Sequence, residues 1–342
     1  MKDINILVTV PNSDVKDTFL PESVREMLEQ LGNVRYNDLN RQYTEDELKE
    51  ALKDRDIAVI GWGCPRIAGD VIAGNDRLKL IAHTGGSVAD YVDASTYAKG
   101  IRVVCGNKLF AKSVAEGTIA YMLSALRYIP DQVYDLKAGN WRSPAYVNDR
   151  GLLGKQIGIL GVGTIARFLM EMLQPFGCTF LVWDDNYTVD PAYLESVHAR
   201  QTTLEEVMSS CSIVSLHAAL TPKSTGMIGR HELEMLPQGA VFINTARGAI
   251  IRQSEMVELL QERTDIFAVL DVFAPEPVDL DSPLRQLKNV YLLPHRGGPT
   301  VDYRKTIGET VVKEIEKFLA GERDLEHEIV QTVASRMTAQ RH

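Results

Sequence analysis

Residues 156–173, QIGILGVGTIARFLMEML, constrain this chain more than any other stretch. An unbroken apolar run ends at Gly161, Gly163 follows, and an amphipathic run starts at once. A strand with no alternation of apolar and polar residues is buried on both faces, as in a parallel sheet covered by helices. Gly161 permits a tight turn, and Gly163 lets the backbone come close to a pyrophosphate. The helix that follows offers free N–H groups and the positive end of its dipole to an anion. Ala166 takes the third small position, where helix and strand pack closely. The stretch therefore predicts an α/β fold with a nucleotide turn.

The same alternation recurs along the chain. INILVTV, DIAVIGWG, LKLIAHTGG and IRVVCG read as strands in the first hundred residues. Between them, PESVREMLEQLG reads as a helix with Pro21 near its start, and Thr44 with Glu47 forms a capping box opening TEDELKEALKD. A long helical stretch, residues 111–139, should kink or break at Pro130. Five apolar strands follow QIGIL: TFLVW, SIVSL, AVFIN, IFAVL and VYLL, six in all for a doubly wound sheet. The last helix, YRKTIGETVVKEIEKFLAG, carries Ile307, Val311, Ile315 and Phe318 on one face, and the tail VASRMTAQRH is expected to fray.

At 342 residues, two domains are the natural expectation. The formal net charge of −9 argues against a nucleic-acid partner, which would need a basic face. MKDINILVTV reads as a first strand rather than a signal peptide, and no apolar run is long enough for a membrane helix. The four cysteines, at 64, 105, 178 and 211, have no metal-ligand spacing, so no metal site is expected. They predict reduced thiols in a cytoplasmic protein.

The strand TFLVW ends in Asp184-Asp185, at the offset from Gly161 expected of a ribose-binding acid. A carboxylate there accepts hydrogen bonds from both ribose hydroxyls of NAD and repels the 2′-phosphate of NADP. Asp184 comes first off the strand and is the expected ligand. The alternative is a glycine turn in an α/β protein that binds no nucleotide.

Ligands of such sheets bind outside the carboxyl ends of the strands. After SIVSL comes His217. After AVFIN come Thr245, Ala246 and Arg247. After IFAVL come Asp271 and, a few residues on, Glu276. After VYLL comes His295. Any one of these has an ordinary structural explanation: Arg247 could cap a helix, Glu276 could be a solvated loop acid, and His295 a satisfied strand-end histidine. Their clustering at neighbouring strand ends beside a dinucleotide turn argues for chemistry.

Taken with GKQIGILGVGTIA, VSLHAALTPKSTGMIG, FINTARGAII, LDVFAPEP and LLPHRGG, the chain resembles the D-isomer-specific 2-hydroxyacid dehydrogenase family over roughly residues 75–320. The resemblance implies that Arg247, Glu276 and His295 are catalytic. It implies an NAD site lined by Gly161, Gly163, Thr164, Ile165, Asp184, Thr245, Ala246, Arg247, Asp271 and His295, with Gly298 close by and His217 on the cofactor side. It also implies a flavodoxin-like substrate-binding domain of residues 1–108 plus 301–342, and an inserted Rossmann NAD-binding domain of residues 109–300, with closure about a hinge. The amides of Gly85, Gly86 and Ser87 occupy the place of the family's carboxylate-holding loop, whose usual form differs. A homodimer is implied, with KAGNW, ending at Trp141, as a contact segment. No membrane partner is expected.

The chemistry of these residue types fits. Reduction of a 2-keto acid to an (R)-2-hydroxy acid needs a hydride on carbon and a proton on oxygen. Histidine titrates near neutrality and can give the proton. A glutamate beside it stabilises the imidazolium, and the arginine fork suits a carboxylate. A nucleotide-sensing binding protein of the same fold, like the family's corepressors, is the competing reading. Formate dehydrogenase is a third, though there the acid beside the histidine is replaced by an amide. Arg296, directly after His295, is expected to turn to solvent; facing inward, it would favour a dianionic substrate. The loops GWGCPRI and AYVNDRG are expected to shape the pocket.

Overall fold

The computed structural model describes residues 4–141, 149–185 and 188–338. The chain divides into two compact units. One is Met1–Phe110 with Pro299–Arg341, the other Ala111–Gly298.

The first unit holds five parallel strands: β1 (Asn5–Val8), β2 (Asn33–Tyr36), β3 (Ile57–Ile60), β4 (Leu80–His83) and β5 (Arg102–Cys105), in the order β2-β1-β3-β4-β5. That order is flavodoxin-like. β3 and β4 are buried at every position, as two covered faces require. One face packs Leu48, Leu52 and Ile81; the other packs Leu28 with Ile307, Val311 and Ile315 of the helix Val301–Leu319. The capping box of Thr44 and Glu47 is present, with Thr44 N donating to Glu47 Oε2 at 2.8 Å.

The second unit holds seven parallel strands: β6 (Gln156–Leu160), β7 (Thr179–Trp183), β8 (Ala199–Gln201), β9 (Ile213–Leu216), β10 (Val241–Asn244), β11 (Phe267–Leu270) and β12 (Val290–Leu292). Their order is β12-β11-β10-β9-β6-β7-β8. The chain winds outward from β6 to β8, then returns beside β6 as β9 and winds the other way. The carboxyl ends of β6 and β9 thus form the topological switch point, where such sheets bind ligands.

Two features depart from the expectations, the edge strands and the tail, while the long helix breaks near Pro130 as expected. β2 and β8 are edge strands of four and three residues with mixed burial, so neither carries an apolar run. The second sheet accordingly has seven strands rather than six. The long helix breaks into Asn107–Leu126 and Ile129–Lys137, with Tyr128 in a left-handed conformation (φ 49°) just ahead of Pro130. The tail does not fray over its described part. A short helix, Gln331–Ala334, buries Ala334 and sets Met337 against the first unit's core.

Candidate active site

β6 delivers Gly161 in a left-handed conformation (φ 92°), where a side chain is strained. A Cβ there would lie 2.5 Å from the backbone N of Ala218, just past β9, so the two strand ends pack backbone to backbone. Gly163 sits at the N-cap of the helix Thr164–Leu173 with no side-chain cap, and the position of its absent Cβ has open space for 4 Å around it. Thr164 and Ile165 form the first turn of that helix, which has no side-chain cap. Asp184, one residue past β7, accepts a hydrogen bond at 2.8 Å from Val162 N within the glycine turn. An anion cradle with a carboxylate at its edge fits a pyrophosphate and an unphosphorylated ribose.

β10 ends in the turn Asn244–Arg247. Asn244 is fully buried; its Oδ1 accepts from Ala246 N (2.9 Å) and its Nδ2 donates to Arg247 O (3.1 Å). This side chain shapes the turn from within. Thr245 Oγ1 lies 3.4 Å from Thr118 Oγ1, and Arg247, half-buried, donates from Nη1 to Ala246 O at 2.6 Å.

β11 and β12 bring the acid and the histidine together. Glu276 Oε2 is 2.8 Å from His295 Nδ1, and its Oε1 accepts from Phe273 N at 2.9 Å. The carboxylate is therefore fixed at both oxygens. His295 is 40% exposed at its side chain, against 21% for Glu276. With Nδ1 engaged, Nε2 is the ring nitrogen that presents a proton. His295 has φ 51°, an uncommon backbone conformation for a non-glycine residue.

Asp271 explains how that conformation is held. It is buried, and its two oxygens accept from Arg296 N and Gly297 N at 2.7 Å each, with Tyr121 Oη at 3.4 Å. Burial pushes its carboxyl up from the usual range, against the lowering effect of those amides. The family resemblance implies Asp271 at the cofactor; its two carboxylate oxygens accept from the turn after His295. Arg296 is exposed at its side chain, while its amide serves this turn. Gly298 closes the unit with open space at its Cβ position.

His217 is buried beneath the glycine turn. Its Nε2 pairs with Ser215 Oγ at 2.8 Å, and its Nδ1 has no hydrogen-bond partner among the described residues. Burial lowers its pKa from 6.5 to about 4, so the ring is neutral near neutrality. A ring held neutral in this way is unsuited to the proton transfer that His295 can perform.

In the first unit, Gly85–Ser87 follow β4. A Cβ on Gly85 would lie 2.2 Å from His83 Nε2, so only glycine passes over that buried ring. Asn107 Nδ2 donates to Gly86 O at 2.7 Å, and Ser87 Oγ donates to Thr338 O at 2.8 Å. Among the described residues, no hydrogen bond is donated by the amides of Gly85, Gly86 or Ser87. Trp62 of GWGCPRI stands edge-on to Phe19 and Phe110 at 5.3 and 5.9 Å. Residues 145–148 of AYVNDRG lie outside the described residues.

The sequence did not single out Asn244, Ser215, Tyr121 or Thr338. An Asn three residues before Arg247 is a readable turn signal, and Ser215 lies two residues from His217; Tyr121 and Thr338 act through distant contacts that no local pattern announces.

The chain is similar to known proteins in sequence and in fold. Residues 119–297 match the family model for the D-isomer specific 2-hydroxyacid dehydrogenase, NAD binding domain. The chain is 33% identical over 320 residues to a D-3-phosphoglycerate dehydrogenase of Methanocaldococcus jannaschii, covering 93% of this chain and 58% of that protein. It is 29% identical over 278 residues to a hydroxypyruvate reductase of Thermotoga maritima, covering 80% of this chain and 88% of that one. The crystal structure of the TT0316 protein from Thermus thermophilus superposes with a TM-score of 0.74 at 25% identity, over 96% of this chain and all of the other. The chain spans little more than half the length of the phosphoglycerate dehydrogenases it matches, 58% for the first three. No helix among the described residues is long and apolar enough to cross a membrane. The chain belongs to the D-isomer specific 2-hydroxyacid dehydrogenase family, and its second unit contains that family's NAD-binding domain.

Proposed function

We propose that this chain is an NAD-dependent oxidoreductase acting between 2-keto acids and (R)-2-hydroxy acids. The observation that carries the reading is the His295–Glu276 pair at 2.8 Å, held past β12 by Asp271. The reduced cofactor supplies the hydride to the carbonyl carbon. His295 gives the carbonyl oxygen a proton from Nε2, and Glu276 stabilises the imidazolium beforehand. Arg247 holds the substrate carboxylate with its planar donors. In the first unit, the amides of Gly85, Gly86 and Ser87 present donors suited to a carboxylate. Asp184 receives the ribose hydroxyls, and the first turn of the helix at Thr164 receives the pyrophosphate.

The test is oxidation of NADH, followed by absorbance, against a panel of 2-keto acids. Turnover with at least one, abolished by His295→Ala, supports the reading; NADH binding with no turnover on any member would replace it with the corepressor-like one.

The same reading includes a homodimer through the second unit. Val133, Tyr134 and Leu136 on the helix Ile129–Lys137 are exposed, and Trp141 beyond it is 80% exposed. An apolar patch of this kind marks an association surface. Sedimentation of Val133→Glu as a monomer, with the parent a dimer, is the expected result. The four cysteines are buried and unpaired, which fits a cytoplasmic setting.

A further inference from the structure

We infer that Ser87 is a positioning residue that fixes the Gly85–Ser87 loop by tying it to the C-terminal segment, so that the tail shapes the surface receiving the substrate carboxylate. The inference rests on the proposed role of that loop. Its observation is separate: Ser87 Oγ donates to Thr338 O at 2.8 Å and accepts from Ala89 N at 3.3 Å, the first bond spanning 251 residues of sequence. The hydroxyl thus uses its donor on the tail and an acceptor site on its own loop.

The tail is led to this point along β5. Arg102 binds Glu328 through Nε (2.8 Å) and Nη2 (2.5 Å), and also the carbonyls of Glu322 and Arg323. Ile329 N donates to Val103 O at 2.8 Å, and Cys105 N to His327 O at 3.0 Å. Buried Glu314 accepts from His327 N at 3.1 Å and pairs with Lys317 at 2.8 Å. Tyr97 Oη donates to Ile329 O at 3.0 Å. Ala334 and Met337 then join the core cluster that contains Val88, Tyr91 and Val92. Val88 adjoins Ser87, so loop and tail share a core as well as a hydrogen bond.

A tail seated at so many points has little freedom left when it reaches Thr338. The Ser87 bond therefore restrains the loop rather than merely decorating it. On the other side of the loop, Asn107 restrains the Gly86 carbonyl. With both restraints in place the loop amides are held for an anion; with one gone, the loop must be ordered by the substrate itself, which weakens ground-state binding.

The experiment compares Ser87→Ala, a truncation after Ser335, the two combined, and Ser87→Thr. Amide hydrogen exchange of residues 84–90 is read alongside steady-state kinetics on the 2-keto acid that wild type turns over. Ser87→Ala should raise exchange in this segment and raise KM for the keto acid about three- to tenfold. The kcat and the KM for NADH should hold, and Ser87→Thr should restore both readouts. The combined variant should match the worse single one, because the Ser87–Thr338 bond is already absent in either. Wild-type exchange and KM in Ser87→Ala would overturn the inference, and so would effects that multiply in the combined variant. If wild type turned over no keto acid, the proposed function would fail while the exchange data still decided the tie.

Discussion

The two sheets end in very different edges. In the second unit the carboxyl edge carries charged side chains: Asp184 after β7, Arg247 after β10, Asp271 and Glu276 after β11, and His295 before the Asp271-bound turn. In the first unit the edge beyond β4 offers backbone: Gly85 and Gly86 over a buried histidine, their amides donating to no described group. Proton transfer needs a group that changes charge near neutrality, so it needs side chains kept in partial contact with water. Anion holding needs only fixed donors, and glycine amides supply them without a charge to desolvate.

The two buried histidines sharpen the contrast. His83 and His217 each have burial lowering their pKa from 6.5 to about 4, whereas His295 is 40% exposed and paired with a carboxylate. Three histidines at strand ends look alike in a sequence. Burial holds two of them neutral and leaves the third in contact with water and with a carboxylate.

If the chemistry resides in the second edge, His295→Ala should lose roughly 10²–10⁴-fold in kcat while NADH still binds. Stopped-flow turnover with a fluorescence titration of NADH decides it; near-parental kcat would break the comparison. Next in size, Asp184→Ala should lose about ten- to a hundredfold in kcat/KM for NADH, as expected for a charge-assisted contact. NADPH should lose little, so the gap between the cofactors narrows. Equal loss for both would mean that Asp184 shapes the glycine turn rather than reading the ribose.

Glu276→Gln removes the anion that fixes the His295 ring at Nδ1 and is expected to lower kcat about tenfold while NADH binding holds. A parental kcat would remove Glu276 from that role.

The smallest effect concerns stability. The folded protein keeps His83 and His217 neutral down to about pH 4, while the unfolded chain protonates them near 6.5. The unfolded state thus binds more protons below 6.5, and stability falls as pH drops from there toward 4. Each histidine should contribute on the order of 1–2 kcal/mol between about pH 7.5 and about pH 5. His217→Gln should flatten that dependence in urea melts; an unchanged slope would show that the ring is hydrated in solution.

Most of the architecture is legible in the residues alone. Buried parallel strands such as IAVI and VFIN are continuous apolar runs, and helices between them carry their own start and stop residues. The edge strands β2 and β8 are not, because NVRY and ARQ bury too little to pattern the sequence. The tail misleads for a similar reason: scattered apolar residues among polar ones look frayed until Ala334 and Met337 are seen against the core of the first unit.

The sequence by itself determined two doubly wound sheets, a glycine turn followed by an acid, and the acid and histidine at neighbouring strand ends. Local periodicity and turn chemistry suffice for these, since each is written within a few residues. Only the tertiary structure decided that Asp271 reaches across 26 residues to hold the turn at Gly297, that Ser87 is tied to Thr338, and which histidines lie out of water's reach. Those facts depend on which surfaces meet after packing, and a hydrogen bond or a desolvated ring has no signature in the residues beside it.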